Sequence, residues 1–368
     1  MKNVKLRTFV LLIPVILWAL LTAFAWFAPV QQTSEAERRP LAQMPEFSVD
    51  MLWNGSFMEK FETYSLDQFP LRDSFRKIKS LFHFYGLQQS DNNDIYIADG
   101  HASKMEYPLS KPMLDHAADR FEYLYKTYLQ NAEDIYFAIV PDKNYFLAEQ
   151  NGYLALDYEE LFGYMQEQTS YMTYIDLTEQ LKLDDYYFTD THWRQENLEE
   201  LADYLLDSMG AEVTEQEYQK IELEVPFYGV YYGQAALPMN PDTLNYLTNE
   251  MLEDCKVYTY ETGKPVEILM YDMEKAEGKD PYEMFLSGTR PILTIENPHV
   301  DNGEELIVFR DSFGSSLVPL LAKAYEKITI LDIRYVNSAM LGQFVEFGDQ
   351  DVLFLYSTML LNSSLALK

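Results

Sequence analysis

The stretch that decides the fold is ELIVFRDSFG, residues 305–314. Its apolar centre, residues 306–309, predicts a buried strand, and the small residues from Gly314 onward predict a helix to about Tyr325. The pattern then continues with a predicted strand at residues 328–333, a helix at residues 340–347 and a last strand at residues 352–356. This β-turn-α-β-α-β order is typical of a doubly wound sheet.

Two more candidate strands lie upstream, at residues 134–140 and 171–176. From the first of them onward, strand, loop and helix alternate, which predicts an α/β domain with a mostly parallel sheet. Residues of about 220–300 are strand-rich but irregular, and we interpret them as an insertion. The whole domain is predicted to span residues 56–368.

Ser312 follows the predicted strand at the turn into the helix. Open α/β sheets bind ligands at the carboxyl ends of their strands, so a serine hydroxyl there projects into the cleft. Backbone N–H groups at the helix start, such as that of Phe313, can receive an oxyanion. The alternative at this point is that Ser312 only caps the helix.

A serine nucleophile needs a base, and the base needs an orienting acid. Of the five histidines, His101 follows a Gly in a turn, whereas His192 has a carboxylate, Asp190, two residues before it on a segment that can be extended. On an extended segment both side chains point to the same side, so Asp190 can hold the His192 tautomer while His192 takes the Ser312 proton. The alternative is a structural His192 at a helix start, with Asp190 as the cap.

A metal site is the competing chemical interpretation. Asp190, His192 and Asp311 are plausible ligands, but the chain has no tight ligand spacing such as HExxH. It also has no glycine-rich phosphate loop, and its single cysteine, Cys255, excludes an intrachain disulfide and a thiolate cluster. We therefore predict no metal and no cofactor.

The formal net charge is −31, from 59 acidic and 28 basic residues. A surface this negative repels nucleic acid and anionic phospholipid, so we predict no nucleic-acid partner.

The N-terminus predicts a membrane anchor. Residues 8–30 form a charge-free run of 23 residues behind Lys2, Lys5 and Arg7. About 20 apolar residues span a bilayer, and basic residues before the span keep the N-terminus in the cytoplasm. We predict an uncleaved signal anchor at residues 1–30, a linker at 31–55 and an extracytoplasmic domain. A cleaved signal peptide, with Ala23-Phe24-Ala25 as the cleavage site, and a buried core helix are the alternatives.

Asp190-Thr191-His192-Trp193, together with Arg310-Asp311-Ser312-Phe313-Gly314, resembles the DHHW family of Gram-positive bacteria. The chain is similar more distantly to the SGNH-like domains of alginate O-acetyltransferase proteins. The resemblance runs from about residue 34 to the C-terminus. Supporting matches are Glu37-Arg38-Arg39-Pro40-Leu41 with Pro45, Asp67-Gln68-Phe69-Pro70-Leu71-Arg72, Val140-Pro141-Asp142-Lys143 and Asp332-Ile333-Arg334-Tyr335.

The resemblance implies an SGNH-hydrolase-like α/β fold in which Asp and His precede Ser. Carried over by position, Ser312 is the nucleophile, His192 the base and Asp190 its orienter. Thr191 departs from the family name, which has His there, but this is not the position of the base. No asparagine matches the usual oxyanion position, which leaves Asn297 and Arg334 as candidates beside Phe313.

The leading functional expectation is an O-acyltransferase, with acetyl as the expected group, acting on an exported cell-envelope polysaccharide. A multispanning membrane acyltransferase is the partner that the resemblance implies. A carbohydrate esterase with the same triad, and a non-catalytic envelope scaffold or glycan-binding protein, are the alternatives. Wide separation of Ser312 and His192 would favour the non-catalytic alternative.

Overall fold

The computed structural model describes residues 2–132, 134–237 and 239–368, without the side chains of residues 2–11. The chain divides into two compact units, one of Met1–Asn93 with Tyr232–Pro238 and one of Asp94–Tyr231 with Met239–Lys368. The domain boundaries predicted at residues 30 and 55 stay predictions.

The strands in chain order are β1 (Thr33–Ser34), β2 (Arg39–Pro40), β3 (Asp91–Asn92), β4 (Ile95–Ala98), β5 (His101–Lys104), β6 (Ile135–Val140), β7 (Thr173–Ile175), β8 (Gln219–Phe227), β9 (Asp242–Thr248), β10 (Lys256–Thr259), β11 (Val266–Ile268), β12 (Ile292–Glu296), β13 (Glu305–Arg310), β14 (Lys327–Leu331) and β15 (Asp351–Ser357). The α-helices are α1 (Lys2–Phe27), α2 (Val49–Trp53), α3 (Ser56–Asp67), α4 (Arg72–Leu81), α5 (Lys111–Tyr128), α6 (Lys143–Asn151), α7 (Tyr158–Gln168), α8 (Glu199–Ser208), α9 (Val230–Ala235), α10 (Glu250–Asp254), α11 (Met273–Ala276), α12 (Gly314–Leu321) and α13 (Thr358–Leu361).

The larger unit is an α/β fold with one large mixed sheet, ordered β11-β10-β12-β14-β13-β15-β6-β7. The five strands from β14 to β7 are parallel, as predicted. The three strands from β12 outward are antiparallel, so the prediction of a mostly parallel sheet is incomplete. Residues 260–265 join β10 to β11, and this connection is too short for the crossover that parallel strands need.

Both faces of the sheet are buried. Leu306 and Val308 of β13 pack on one face with residues of α8 and α12, whereas Ile307 and Phe309 pack on the other with residues of α5 and α7. A strand covered on both faces reads as a continuous apolar run, which explains why ELIVF carried the strongest signal. The turn after β13 therefore emerges at the edge of a rigid sheet.

The region of about 220–300, predicted as an insertion, contributes to two structures. Strands β8 and β9 form a separate antiparallel hairpin with a bulge between Glu222 and Pro226. Strands β10, β11 and β12 belong to the main sheet. Around the hairpin, Tyr187, Phe227, Tyr282 and Phe285 form part of a third apolar cluster.

In the smaller unit, two of the sequence motifs meet in an ionic network. Arg39 donates two hydrogen bonds to the Asp67 carboxylate, at 2.9 and 2.7 Å. This contact, with a backbone N–H from Ala42, lowers the pKa of Asp67 to about 2. Glu37 is paired with Arg72 and Arg76 of α4. The ion pairs tie the segment after α1 to helices α3 and α4.

Among the residues whose side chains are described, no helix is long and apolar enough to cross a membrane. The predicted signal anchor begins on residues outside this description and stays a prediction.

Candidate active site

Ser312, His192 and Asp190 lie in one hydrogen-bonded row. The His192 Nε2 atom is 2.8 Å from Ser312 Oγ, although the two residues are 120 positions apart in the chain. The His192 Nδ1 atom is 2.6 Å from Asp190 Oδ1. The structure thus brings together all three residues predicted from the sequence.

A narrow loop presents Asp190 and His192. Tyr186 and Trp193 pair across its base, and the Tyr187 N–H donates to the His192 carbonyl. The Asp190 carboxylate also accepts the N–H groups of His192, at 3.1 Å, and of Val230, at 2.7 Å. Asp190 is fully buried, so these donors fix the direction in which its carboxylate faces the imidazole.

Ser312 does not cap the helix that follows it. Phe313 is the N-cap residue of α12, and no side chain caps that position. Instead Asp311 stabilises the turn, because one carboxylate oxygen accepts the Phe313 N–H and the other accepts the N–H and hydroxyl of Ser357 on β15. The Ser312 hydroxyl is therefore directed to His192.

The three oxyanion candidates are placed differently from expectation. The Phe313 N–H donates to Asp311 at 3.0 Å, so it is not open to a substrate oxygen in this conformation. The Asn297 side chain donates to the Ala322 carbonyl and accepts the His299 N–H. Its backbone N–H donates to the carbonyl of Glu326, the residue just before β14. It lies at the amino edge of the parallel strands, opposite the edge that carries Ser312.

Arg334 lies beyond the carboxyl end of β14, but its guanidinium is held by both oxygens of Asp332, at 2.8 and 2.6 Å. Within the described residues, the backbone N–H of Ser312 itself has no hydrogen-bond acceptor. This group is thus the best-placed donor for a negative charge that develops beside the serine hydroxyl.

Tyr282 packs flat against the imidazole of His192, with ring centroids 3.9 Å apart and planes 8° apart. Its hydroxyl hydrogen-bonds Ser316 Oγ at 2.9 Å, and burial raises the pKa of the phenol, so the group stays protonated. Trp193 donates from its indole to Phe313 O and Ser316 Oγ, at 3.0 Å each. The tryptophan thus ties the loop of His192 to the start of α12.

Residues 162–331 match the model of a family described as DHHW protein, and this range contains Asp190, His192 and Ser312. The resemblance to the DHHW family is confirmed.

Solved structures show a similar fold. A DHHW family protein from Eubacterium siraeum DSM 15702 is 21% identical, with 73% of this chain and 91% of that chain covered and a TM-score of 0.57. PatB1 from Bacillus cereus, solved with a sulfonyl adduct, is 20% identical, with 74% and 94% covered and a TM-score of 0.55. No curated protein matches the chain.

Two residues that support this site could not be identified from the sequence, because they come from distant segments. The buried Asp242 carboxylate accepts the N–H groups of Phe188 and Thr189, at 2.7 Å each, and the Thr189 hydroxyl. Gly229 lies so close to the Thr189 and Asp190 backbone that a Cβ atom would collide with it. Neither residue carries a local sequence signal for this role.

Lys143 is a third support of the loop, and in the sequence it stood out only as part of the Val140-Pro141-Asp142-Lys143 match. Its ammonium donates to the carbonyls of Tyr187, at 2.9 Å, and Phe188, at 3.4 Å. Burial lowers the pKa of Lys143 to about 7, against the opposing effect of Asp190 and Asp242. The lysine therefore holds residues 187 and 188, at the start of the loop that presents Asp190.

In the described part of the chain, no three His, Cys, Asp or Glu side chains are grouped to hold a metal ion. Asp311, one of the three ligands considered from the sequence, is engaged by Phe313 and Ser357 instead of facing His192 with Asp190. The three side chains form a row of hydroxyl, imidazole and carboxylate, which is the geometry that proton transfer between a serine and a histidine requires.

Proposed function

We propose that this chain is an O-acyltransferase, with acetyl as the transferred group, that modifies an exported cell-envelope polysaccharide through Ser312, His192 and Asp190. The observation that carries the proposal is the continuous row from Ser312 Oγ to His192 at 2.8 Å and on to Asp190 at 2.6 Å. Both distances are within the reach needed for proton transfer and for holding one imidazole tautomer.

In the first step, Ser312 Oγ attacks the carbonyl carbon of an acyl donor and His192 Nε2 takes the hydroxyl proton. Asp190 keeps the Nδ1–H in place and stabilises the imidazolium. The bond to the donor's leaving group then breaks, and that group takes the proton from His192. An acyl-serine remains, and the Ser312 N–H lies beside the carbonyl oxygen that carried the negative charge.

In the second step, a sugar hydroxyl gives its proton to His192 and attacks the acyl carbon. The ester bond to Ser312 breaks, and His192 returns the proton to the serine. Water in place of the sugar hydroxyl gives an esterase with the same residues. Transfer therefore needs an acceptor held on the acyl-serine more effectively than water.

Exposed aromatic side chains beside the loop supply a surface for such an acceptor. Phe188 is 40% exposed and Tyr228 is 44% exposed, whereas the neighbouring Tyr231 is buried. Aromatic faces pack against the apolar faces of sugar rings, while the hydroxyl groups stay in water. The fold likeness to PatB1 adds a chemical probe, because that protein was solved with a sulfonyl adduct. A sulfonyl fluoride reacts with an activated hydroxyl by losing fluoride.

The decisive experiment compares the full chain with Ser312→Ala and with Ser315→Ala as a matched control. Ser315 lies one helical turn further along the chain, in α12, and is buried. Among the described residues the His192 ring hydrogen-bonds Asp190 and Ser312, not Ser315. We expect Ser312→Ala to lower acetyl transfer from p-nitrophenyl acetate to de-acetylated envelope oligosaccharides by about 10³-fold or more. Ser315→Ala is expected to keep the activity.

Mass spectrometry after treatment with a sulfonyl fluoride gives a second measurement. We expect one adduct on Ser312 in the wild type and the Ser315→Ala control, and none in Ser312→Ala. Release of acetate without acetylated oligosaccharide would identify an esterase instead. Equal turnover by wild type and Ser312→Ala would disprove the triad.

A further inference from the structure

The inference concerns helix α4 of the smaller unit, whose apolar face points outward. Leu71, Phe75, Ile78 and Phe82 are spaced by four, three and four residues, so they share one side of the helix. Their exposed fractions are 64%, 44%, 60% and 59%. A surface helix of a globular protein normally turns such a stripe towards the core.

The opposite side of α4 is polar and faces inward. Ser80 is fully buried, and the side chains of Arg72 and Arg76 are only 17% and 16% exposed. Arg72 and Arg76 pair with Glu37, and Arg76 also donates to the carbonyls of Gly233 and Gln234. The unit is thus held together by the polar side of α4. On the apolar side, the described ring contact is that of Phe75 with Phe69, with centroids 5.6 Å apart, and all four side chains stay largely exposed.

The exposed apolar surface is concentrated in this unit. Residues 44–87 contain 14 of the large apolar side chains that are exposed, whereas residues 88–368 contain only 12. Single exposed apolar residues are normal, but a contiguous set marks an interaction surface. Residues 88–368 have far fewer such side chains for their length, so the exposed apolar surface around α4 is a local feature.

We propose that the α4 face, defined by Leu71, Phe75, Ile78 and Phe82, docks on a phospholipid surface. Lys77 and Lys79 are exposed and flank Ile78, at about 100° on either side of the helix axis. Lysines at both borders of an apolar stripe lay their stems on it and reach phosphate groups with their ammonium ends. The buried core of a protein–protein interface is instead depleted in lysine.

The net charge of −31 opposes attraction to anionic lipid from a distance. Close to the surface the local charge matters more, because screening limits the reach of charges to about 8–10 Å. Arg72 and Arg76 are paired with Glu37, so the exposed charges of the helix are Lys77 and Lys79 against Asp73. Apolar burial therefore supplies the binding and the two lysines orient the helix. This proposal goes beyond the acyl transfer proposed above and does not depend on it.

The test uses the full chain in phosphatidylcholine vesicles, on a Cys255→Ser background with one new cysteine labelled by an environment-sensitive fluorophore. Ile78→Cys reports on the α4 face. Asp73→Cys is the matched control, because Asp73 is exposed on another side of the same helix. We expect lipids with a nitroxide near the glycerol to quench the label at position 78 at least threefold more than the label at position 73.

Equal quenching at the two positions would overturn the proposal. Cross-linking of two chains through position 78 would also overturn it, because the face would then be covered by a second copy. A third labelled protein, with Phe75→Asp and Phe82→Asp added to Ile78→Cys, is expected to lose the extra quenching. The labels and the aspartates replace exposed side chains, whereas Cys255 is partly buried, so thermal unfolding checks that each protein remains folded.

Discussion

At the scale of single residues, Tyr282 has a role that the triad distances do not show. Its ring lies flat on His192, so it fixes the plane of the imidazole that takes and returns the proton in the proposed mechanism. We expect Tyr282→Leu to lower kcat about 10- to 100-fold with little change in KM, because small errors in the position of a catalytic group are costly. Tyr282→Phe keeps the ring and should restore most of kcat.

Steady-state kinetics on the chromogenic acetyl ester measures this effect. A purely structural role would lower the amount of folded protein for both variants and leave kcat per folded molecule unchanged. Similar kcat values for Tyr282→Leu and the wild type would therefore contradict the positioning role.

Lys143 offers a residue-scale prediction about pH. Burial lowers its pKa to about 7, while in the unfolded chain a lysine has a pKa of about 10.4. Between these values the unfolded chain binds a proton that the folded chain does not, so the free energy of unfolding rises with pH. Below pH 7 both states hold the proton, and the cost of burying the charge is fully present.

The comparison is between the wild type and Lys143→Met, which cannot titrate. We expect the stability of the wild type relative to the variant to rise between pH 7 and 10, by at most about 1.4 kcal/mol per pH unit. The charged neighbours Asp142, Asp190, Arg194 and Asp242 are present in both proteins. Denaturant unfolding across this range measures the difference, and parallel curves would show that Lys143 does not titrate there.

At the scale of structural elements, the close approach of residue 229 to the Asp190 loop is a requirement of packing. A Cβ atom at Gly229 would collide with backbone atoms of Thr189 and Asp190, which cannot rotate away. We expect Gly229→Ala to cost about 1–3 kcal/mol of stability and to lower acyl transfer by displacing Asp190.

Gly163→Ala is the matched control, because Gly163 lies inside α7 and a Cβ atom there meets no neighbour. Alanine in a helix interior is favoured over glycine, so this change should be neutral or stabilising by up to about 1 kcal/mol. Melting temperatures and transfer rates of both variants test the pair. An active, fully stable Gly229→Ala variant would contradict the packing argument.

The elements near Ser312 could be predicted because their signals are local. The strand expected at residues 306–309 is β13, and the helix expected from Gly314 is α12, which ends at Leu321. The helix expected at residues 340–347 is instead a short 3-10 helix, Ser338–Gln343, within which Gly342 packs against Tyr128. The pairing of β12, β10 and β11 depends on distant strands, so no local pattern could reveal it.

The same contrast between local signals and distant contacts explains which site residues could be predicted. Asp190 and His192 are two residues apart, and their spacing could be interpreted directly. Tyr282 and Asp242 act through contacts made only after folding, across 90 and 53 positions of the chain from His192 and Thr189. Neither residue type is unusual in its own segment.

At the scale of the whole molecule, the proposed activity and the proposed docking face both require the same orientation of the chain across the membrane. An exported polysaccharide is available only outside the cytoplasm, so the larger unit must lie there. The charge-free residues 8–30 behind Lys2, Lys5 and Arg7 predict this orientation, because basic residues stay on the cytoplasmic side. The α4 face would then meet the outer surface of the same membrane.

Protease treatment of intact protoplasts tests this orientation with the full chain. We expect an antibody against the C-terminal region to lose its signal in intact protoplasts, while a cytoplasmic marker protein survives until detergent is added. Replacing Lys2, Lys5 and Arg7 with glutamate weakens the basic segment and should leave part of the chain protected. The protease can digest the larger unit only if that unit lies outside the membrane. Full protection of the wild-type chain in intact protoplasts would therefore contradict both the predicted anchor and the assignment of an exported acceptor.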